Sequence, residues 1–459
     1  MDGVTMKQLH NAMNLLKKID SFGYESYIVG GAPRDLSMGL EPKDIDIATN
    51  CPIEILQKKF ETYEIGQSKN FGLILVMYKG LAYEVAQFRK EAKYNGFRPK
   101  EVKLVKSIEI DVYRRDFTVN ALVMNADGDI IDYVGSHKDI SQKIIRTVGD
   151  PHRRFEEDYV RMIRAARFAS MDGFSIETYT RRAIRQQFRN INYVKPERIR
   201  IELIKAAEHG GKRFARFILL LDDLKLLAQI LPEVAAMKYF RHDLHHHPEG
   251  STVFAHSIEC LKIMEHANPI GLIATLLHDI GKCIAFQEDK YWWKFTYYGH
   301  ANVGARMAVD IARRLKFNVC HINEIEYAVK NHMKFHDILD MKPSKIARIV
   351  NSPHFETLKE VAWADEFSRG EAFAHYGEFD AKMKKINDIK EKWEDREMNS
   401  AVKIVSGNRI MMLLNLKPGP EVGKIKKDVE DYIIDNGLEP TSDLIDELIF
   451  KLGECNVSN

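Results

Sequence analysis

The stretch IVGGAPRDLSMGLEPKDIDIAT, residues 28–49, decides how the first third of the chain is read. Ile28 and Val29 run into Gly30 and Gly31, which reads as a strand ending in a glycine turn, and the stretch closes on Asp44 and Asp46 with Ile45 and Ile47 interleaved. On a strand, residues i and i+2 point to one face, so the two carboxylates stand side by side while the isoleucines face a core. Adjacent carboxylates repel, and without a cation one of them takes up a proton. An oxygen-only pair therefore predicts a clamp for Mg²⁺ or Mn²⁺. D-x-D by itself is most often an ordinary surface strand or turn. The glycines shift that reading, because a Gly-Gly turn lets backbone N–H groups approach an anion and Arg34 adds a bidentate phosphate donor just upstream. No G-x-x-x-x-G-K-[ST] is present, so the turn is not a P-loop.

Outward from this stretch, Leu9, Met13, Leu16 and Ile19 recur at helical spacing, and residues 24–31 (YESYIVGG) read as a strand. DIDIA, FGLILVMY, LAYEVAQFR and IIDYVG supply further short strand-like runs, so residues 1–145 predict a mixed α/β head. From Arg146 onward the periodicity is helical, with breaks near Gly173, near Pro196, across residues 245–250 and around residues 417–423. The expected fold class is α+β: a mixed α/β head followed by all-α regions. No fixed-period repeat or low-complexity tract interrupts it.

Bulk properties narrow the partners. A chain of 459 residues with 45% apolar content can bury several cores. Lys plus Arg (68) nearly balance Asp plus Glu (66), so a nucleic-acid partner must be held by local patches. One such patch lies between Arg146 and Arg216, where 14 Arg and 3 Lys face 9 acidic residues, a net +8. Solvated helix faces would account for that excess, but the preponderance of arginine favours phosphate contact. The five cysteines are widely spaced without a C-x-x-C pair, which argues against a disulfide framework or zinc ribbon and for a reducing compartment. No apolar run approaches the ~20 residues a membrane span needs, so no membrane partner and a cytoplasmic location are expected.

GGAPRD followed by DIDIAT resembles the active-site signature of the class II tRNA nucleotidyltransferases of the DNA polymerase beta superfamily. RRDFTVNAL (114–122), DYVGSHKDI (132–140), and EDYVR (157–161) followed by IRAARF resemble the family's remaining head and neck motifs, in the same order. The resemblance implies that Asp44 and Asp46 hold Mg²⁺, which activates a tRNA 3′-hydroxyl while pyrophosphate leaves, and that Gly30, Gly31 and Arg34 contact the nucleotide. Glu84 is a candidate third ligand, with an exposed strand residue as the plainer alternative. Arg114, Arg115, Asp116 and Asn120 would line the sugar and triphosphate, although Asp116 also reads as a helix N-cap. Asp158 and Arg161, three apart, would share a helix face, where a simple ion pair is the bland outcome. The family implies that they read the donor–acceptor edge common to cytosine and adenine, with Arg164 and Arg167 also at the nucleotide. FRKEAKYNGFRP (88–99) resembles the family's mobile loop, and Gly135 its head–neck hinge.

A second constellation follows: HHHPEGSTVFAHS, ATLLHDIGK, YGHANVGA, NHMKFH and VAWADEFSRG. A His-Asp pair after an apolar helix is costly to bury unless it binds a cation or its neighbours. His256, His278, Asp279 and Asp365 resemble the H…HD…D pattern of HD phosphohydrolases, and His300 and His332 extend it; consecutive His245–His247 cannot all face one way and are left out. Imidazole with carboxylate suits Mn, Ni, Co, Fe or Zn, with Mg²⁺ also open. The resemblance implies removal of 2′,3′-cyclic phosphate or 2′-phosphate from tRNA ends, with a structural metal module as the alternative. The expected organisation is a head (1–145), a helical, nucleotide-selecting and tRNA-binding neck (146–245), an HD domain (246–380) and a helical tRNA-contacting region (381–459).

The expected activity is addition of CCA to tRNA from CTP and ATP. A poly(A) polymerase shares the same head motifs, and addition of CC or A alone stays open. An HD nucleotide phosphohydrolase whose head only binds nucleotide is the alternative from another class, and an RNA-binding protein with an inactive head ranks last.

Overall fold

The computed structural model describes residues 6–64, 72–94, 99–241, 252–265, 267–289, 294–368, 376–398 and 405–457. The chain divides into two compact units, residues 1–236 with 314–317, and residues 237–313 with 318–459.

The first unit is built on a seven-stranded mixed sheet. Helix α1 (Met6–Asp20) lays Leu9, Ala12, Leu15, Leu16 and Ile19 into the core. Then follow β1 (Ser26–Val29), α2 (Gly31–Ser37), β2 (Asp46–Thr49), α3 (Ile53–Lys59), β3 (Glu61–Tyr63), β4 (Leu73–Tyr78) and β5 (Leu81–Gln87). After an excursion through β6 (Arg89–Tyr94), β7 (Pro99–Leu104) and α4 (Ile108–Val112), the chain returns as β8 (Val123–Met124) and β9 (Ile130–Ile131). The strand order is β3-β4-β5-β2-β1-β8-β9. β2 is central, antiparallel to β1 and parallel to β5, which sets Asp46 opposite Val29 on one side and Glu84 on the other.

Strand alternation divides the apolar residues between two layers. Ile28, Ile47, Ile74, Val76 and Val85 pack with α1 and α3. Val29, Ala48 and Val123 face the other way, with Phe88, Ile108 and Val112. With both faces covered, the polar site is left at the end of the central strands.

Residues 88–99, which resemble the family's mobile loop, begin an antiparallel ribbon in which β6 pairs with β7 from Arg89↔Leu104 to Tyr94↔Pro99. Its tip, residues 95–98, lies outside the described residues. Gly135 has φ +82 and caps α5 (Ser136–Ser141), and Asp132 accepts from the N–H groups of residues 134 to 137.

Helices follow as the periodicity predicts: α6 (Pro151–Glu157), α7 (Val160–Ala169), α8 (Thr178–Gln187), α9 (Pro196–Ala207), α10 (Gly211–Asp223), α11 (Leu227–Ile230) and α12 (Pro232–Ala236). One small departure is a parallel pair, β10 (Ile144–Ile145) with β11 (Ser175–Ile176). The expected break at Gly173 is a turn with φ +79, and Pro196 stands at the first turn of α9.

The second unit contains α13 (Val253–Ile263), α14 (Pro269–Leu277), α15 (Lys282–Ala285), a short ribbon of β12 (Gln287–Asp289) and β13 (Lys294–Thr296), α16 (His300–Arg314), α17 (Val319–His336), α18 (Pro343–Val350), α19 (Phe355–Phe367) and α20 (Tyr376–Met398). Ala274, Ala328 and Val361 pack together where α14, α17 and α19 meet. The last helices, α21 (Gly407–Leu414), α22 (Pro420–Asp435) and α23 (Ser442–Val457), enclose their own core around Ile410, Ile425, Val429 and Ile445. Asp435 on α22 accepts from the Ser344 N–H at the start of α18. No described helix is long and apolar enough to cross a membrane.

Candidate active site and metal centre

The glycine turn, the aspartates and the neck arginines line one cleft of about 1010 Å³ within the first unit. Gly30 has φ +82, and a Cβ there would stand 3.0 Å from Asp46 Oδ2, so glycine is required both by the backbone and by the carboxylate beside it. Asp46 opens β2, whereas Asp44 lies two residues ahead of it and outside the strand. Both line the cleft, as does Glu84. Burial pushes the Asp46 carboxyl up to about 6, and the Asp44 and Glu84 charges push it the same way. This accumulation of carboxylates, all hard oxygen donors, fits a divalent cation such as Mg²⁺.

Arg34 is held rather than loose. Its Nε and a terminal nitrogen reach Asp35 Oδ1 at 2.8 and 2.7 Å, and its other terminal nitrogen donates to Asn120 Oδ1 at 2.6 Å. Asp116 caps no helix; the turn at Thr118–Asn120 is preceded by Phe117. Its carboxylate instead accepts from Arg164 Nε at 2.7 Å and from the Phe117 N–H at 2.9 Å. Burial alone would raise the Asp116 pKa, but Arg164 and Arg161 outweigh it and hold the carboxyl down at about 2. Arg167 donates to Glu202 at 2.7 Å.

Asp158 and Arg161 both line the cleft, but they do not share a helix face. Asp158 sits between α6 and α7 in extended conformation, φ −160 and ψ 105. Its carboxylate is gripped by both terminal nitrogens of Arg198, at 2.8 and 2.6 Å. Arg161, inside α7, donates to Glu157 at 2.6 Å and to the Arg154 carbonyl at 2.8 Å. Each member of the pair is thus positioned by a different partner.

Sequence reasoning missed Arg198 and Glu202. They lie one turn apart in PERIRIE, which looks like any charged helix until α9 packs on α7. The positive charge between Arg146 and Arg216 is also less open than its count suggests. Nine of the 14 arginines there, at 146, 154, 161, 164, 167, 181, 185, 198 and 213, form ion pairs with carboxylates.

The second constellation converges inside the second unit. His256 on α13, His278 and Asp279 after α14, His300 on α16, His332 on α17 and Asp365 on α19 are all buried. His256 Nε2 lies 3.1 Å from Asp365 Oδ1 and 3.7 Å from Asp279 Oδ2. His300 Nε2 and His332 Nε2 lie 3.3 and 3.7 Å from Asp279 Oδ1. The Nδ1 atoms of His278, His300 and His332 face the carbonyls of Thr275, Tyr297 and Val329 at 2.7, 2.9 and 2.7 Å. Proton donation there sets the tautomer, leaving Nε2 lone pairs turned inward as ligands.

His278 Nε2 is buried with no hydrogen-bond partner, a cost that a metal ion removes. Burial, then neighbouring His278, hold His332 down at about 3, so it stays neutral. Nitrogen and carboxylate donors together fit a borderline metal. Three neighbours escaped the sequence reading: His336 Nε2 at 3.1 Å from Asp365, Lys282 at 2.6 Å from Asp279, and Cys260 Sγ at 3.5 Å from His256 Nε2. His245–His247 lie outside the described residues.

Three family models match the chain: the poly A polymerase head domain over residues 26–146, the "Probable RNA and SrmB-binding site of polymerase A" over 173–238, and the HD domain over 253–370. CCA-adding enzymes from Bacillus pumilus and Bacillus subtilis are 40% identical over 222 residues and 42% over 206, covering 48% and 44% of this chain. The matched part spans about half the length of these curated relatives, 54% and 51%. Among solved structures, the Bacillus stearothermophilus CCA-adding enzyme in complex with CTP superposes with a TM-score of 0.71 at 22% identity, covering 98% of this chain and 99% of that one. The Thermotoga maritima CCA-adding enzyme complexed with tRNA gives 0.56 at 18% identity, covering 98% and 97%. These likenesses extend the shared fold over nearly the whole chain. Residues 26–146 thus carry a poly A polymerase head domain and residues 253–370 an HD domain, and the chain resembles CCA-adding enzymes in sequence over about half its length and in fold over nearly its whole length.

Proposed function

We propose that the chain adds C, C and A to the 3′ end of tRNA from CTP and ATP, releasing one pyrophosphate per step, in the cytoplasm. The observation that carries this reading is the meeting, in one cleft, of the Gly30 turn and acidic cluster with Asp158 and Arg161 from the neck. Asp44 and Asp46, with Glu84 beside them, would hold Mg²⁺. The cation would lower the pKa of the 3′-hydroxyl and offset charge on the leaving pyrophosphate.

The remaining work falls to the chain's own groups. The N–H groups of the glycine turn approach the phosphates, and Arg114 and Arg115 donate to the triphosphate. Asp116, kept ionised by Arg164, accepts from ribose hydroxyls. Asp158 accepts from an exocyclic amino group while Arg161 donates to a ring nitrogen or carbonyl. Cytosine and adenine offer that amino donor; uracil and guanine present oxygen at the corresponding position. Because Arg198 and Glu157 hold these two side chains separately, the edge-reading geometry is preset. Residues 1–145 would act as head and 146–245 as neck, with residues 381–459 contacting the tRNA.

In residues 246–380, His256, His278, Asp279 and Asp365, extended by His300 and His332, would hold a transition metal such as Mn, Ni, Co, Fe or Zn, or Mg²⁺. The bound ion would polarise a phosphoester, consistent with hydrolysis of 2′,3′-cyclic or 2′-phosphates at tRNA ends.

The test is incubation with Mg²⁺, a tRNA lacking its 3′ end and each NTP in turn. Two C additions with CTP, a single terminal A once ATP is present, and none after Asp44→Ala are expected. A growing A tail from ATP alone would make the protein a poly(A) polymerase. Phosphate release that survives Asp44→Ala, with no nucleotide addition by wild type, would move the function to the HD cluster.

A further inference from the structure

Two arginines of the cleft are aimed by a residue that does not line it. Asp111, on α4, has a completely buried side chain. Its Oδ1 accepts from Arg114 Nε at 2.8 Å and from the backbone N–H of Arg89 at 3.1 Å, and its Oδ2 accepts from Arg115 at 3.2 Å. Arg89 is the first residue of the β6–β7 ribbon. Below it, Phe88 is locked in place, its N–H bonded to the Thr49 carbonyl at the end of β2 and its carbonyl to the Val105 N–H at the close of β7. One carboxylate therefore joins the root of the ribbon to both guanidinium groups.

The geometry gives this link leverage. The backbone carbonyl of Arg114 is fixed from the neck side by Arg154 at 3.2 Å and Arg161 at 3.5 Å. With the backbone anchored there, the direction of the two guanidinium groups is set at their other end, by Asp111. Arg115 also donates weakly to the Asn120 carbonyl at 3.4 Å, while its Nε is buried without a hydrogen-bond partner. Asn120 in turn receives Arg34. A displacement at the root of the ribbon would pass through Asp111 into the cations that face the cleft.

We propose that Asp111 is a positioning residue that couples the β6–β7 ribbon to Arg114 and Arg115, so that the ribbon's placement sets affinity for the nucleotide's phosphates. This rests on the reading of the cleft as an NTP site. Asparagine at 111 would keep the shape, but it would turn an N–H₂ group towards one of the cationic donors and remove the charge that holds both.

The test is a double-mutant cycle on the full chain: Asp111→Asn, replacement of residues 92–101 by a short glycine linker, and both together, with KM and kcat measured for CTP and ATP on tRNA. Asp111→Asn is expected to raise both KM values about tenfold, the size of one lost charge-assisted contact, with kcat at saturation within about twofold and a lowered melting temperature, since it leaves two guanidinium groups beside a buried neutral amide. Linker replacement should raise KM in the wild-type background and add little in the Asp111→Asn background, a departure from additivity that marks physical coupling. Arg89→Pro is the second variant, since it removes the ribbon's N–H from the carboxylate at the start of a strand, where proline is tolerated, and Arg89→Ala controls for the side chain lost with it. The proline variant should abolish the effect of linker replacement in the same way. Additive losses, or a fall in kcat with both KM values unchanged, would overturn the proposal. Wild-type protein that adds no nucleotide would overturn the reading of the cleft and this inference with it.

Discussion

Replacing Asp116 by asparagine tests the electrostatic reading of the cleft in a way that depends on pH. In the folded protein the Asp116 carboxyl is held at about 2, against an ordinary 3.8, because Arg164 and Arg161 outweigh the cost of burial. Its side chain is 11% exposed, so solvent screens the interaction little. A depressed carboxyl stabilises the fold wherever it is ionised. The contribution is therefore complete above about pH 4 and disappears as pH falls from there through about pH 2. At 1.36 kcal/mol per pH unit, the difference amounts to roughly 2 kcal/mol.

Asp116→Asn should thus destabilise the first unit by about that amount at pH 7, and the gap to wild type should close between pH 4 and 2. The assay must report the correct unit. None of the four tryptophans, Trp292, Trp293, Trp363 and Trp393, falls within residues 1–236 or 314–317, so their fluorescence does not report the first unit directly. Hydrogen exchange of peptides covering residues 113–125, across a urea series at several pH values, isolates the relevant unfolding. A gap that stays constant down to pH 2, or no gap at pH 7, would refute the assignment of Asp116 as the ionised partner of Arg164.

Arg198→Met removes the bidentate grip on Asp158. Misincorporation of UTP or GTP should rise about tenfold, equivalent to about 1.4 kcal/mol of lost discrimination, and selection unchanged in a single-nucleotide extension assay would count against Arg198 as its support. Gly30→Ala places a Cβ at positive φ and 3.0 Å from Asp46 Oδ2, whereas at Gly31 the nearest atom is the flexible end of Arg34 at 3.4 Å. Nucleotide transfer should therefore fall at least about tenfold in the first variant, given about 1–2 kcal/mol of backbone strain plus displacement of Asp46, and less in the second; equal losses would argue against close packing of the turn on the carboxylate. Adding Mn²⁺ to chelator-treated protein should raise the melting temperature followed by tryptophan fluorescence, since an ion at 100 times its Kd adds about 2.7 kcal/mol. His278→Ala should abolish that rise, and a rise that persisted would place the ion elsewhere.

The local chemistry of both sites was legible in the chain. Gly30 and Gly31 after Ile28-Val29, the Asp44–Asp46 spacing, and His278-Asp279 after an apolar helix are patterns between near neighbours, where strand and helix periods dictate which side chains meet. Those residues lie where the spacing expects them, although Asp44 stops short of the strand. The ribbon at residues 89–104 was less legible, because a polar strand pair and a polar loop have similar composition. For Asp158 and Arg161, helical spacing pointed to the wrong relationship, since the chain breaks between α6 and α7 and places Asp158 in extended conformation.

Sequence by itself determined which residue types come together: two aspartates beside a glycine turn, and histidines with aspartates in a separate helical region. Only the tertiary structure decided which partners hold each functional group. Arg198 reaches Asp158 across 40 residues, Glu202 reaches Arg167 across 35, and Asp365 meets His256 across 109. Such contacts depend on how one helix packs on another. That packing is set by the whole buried surface and not by any short run of residues, so the support of each site becomes visible only in the folded chain.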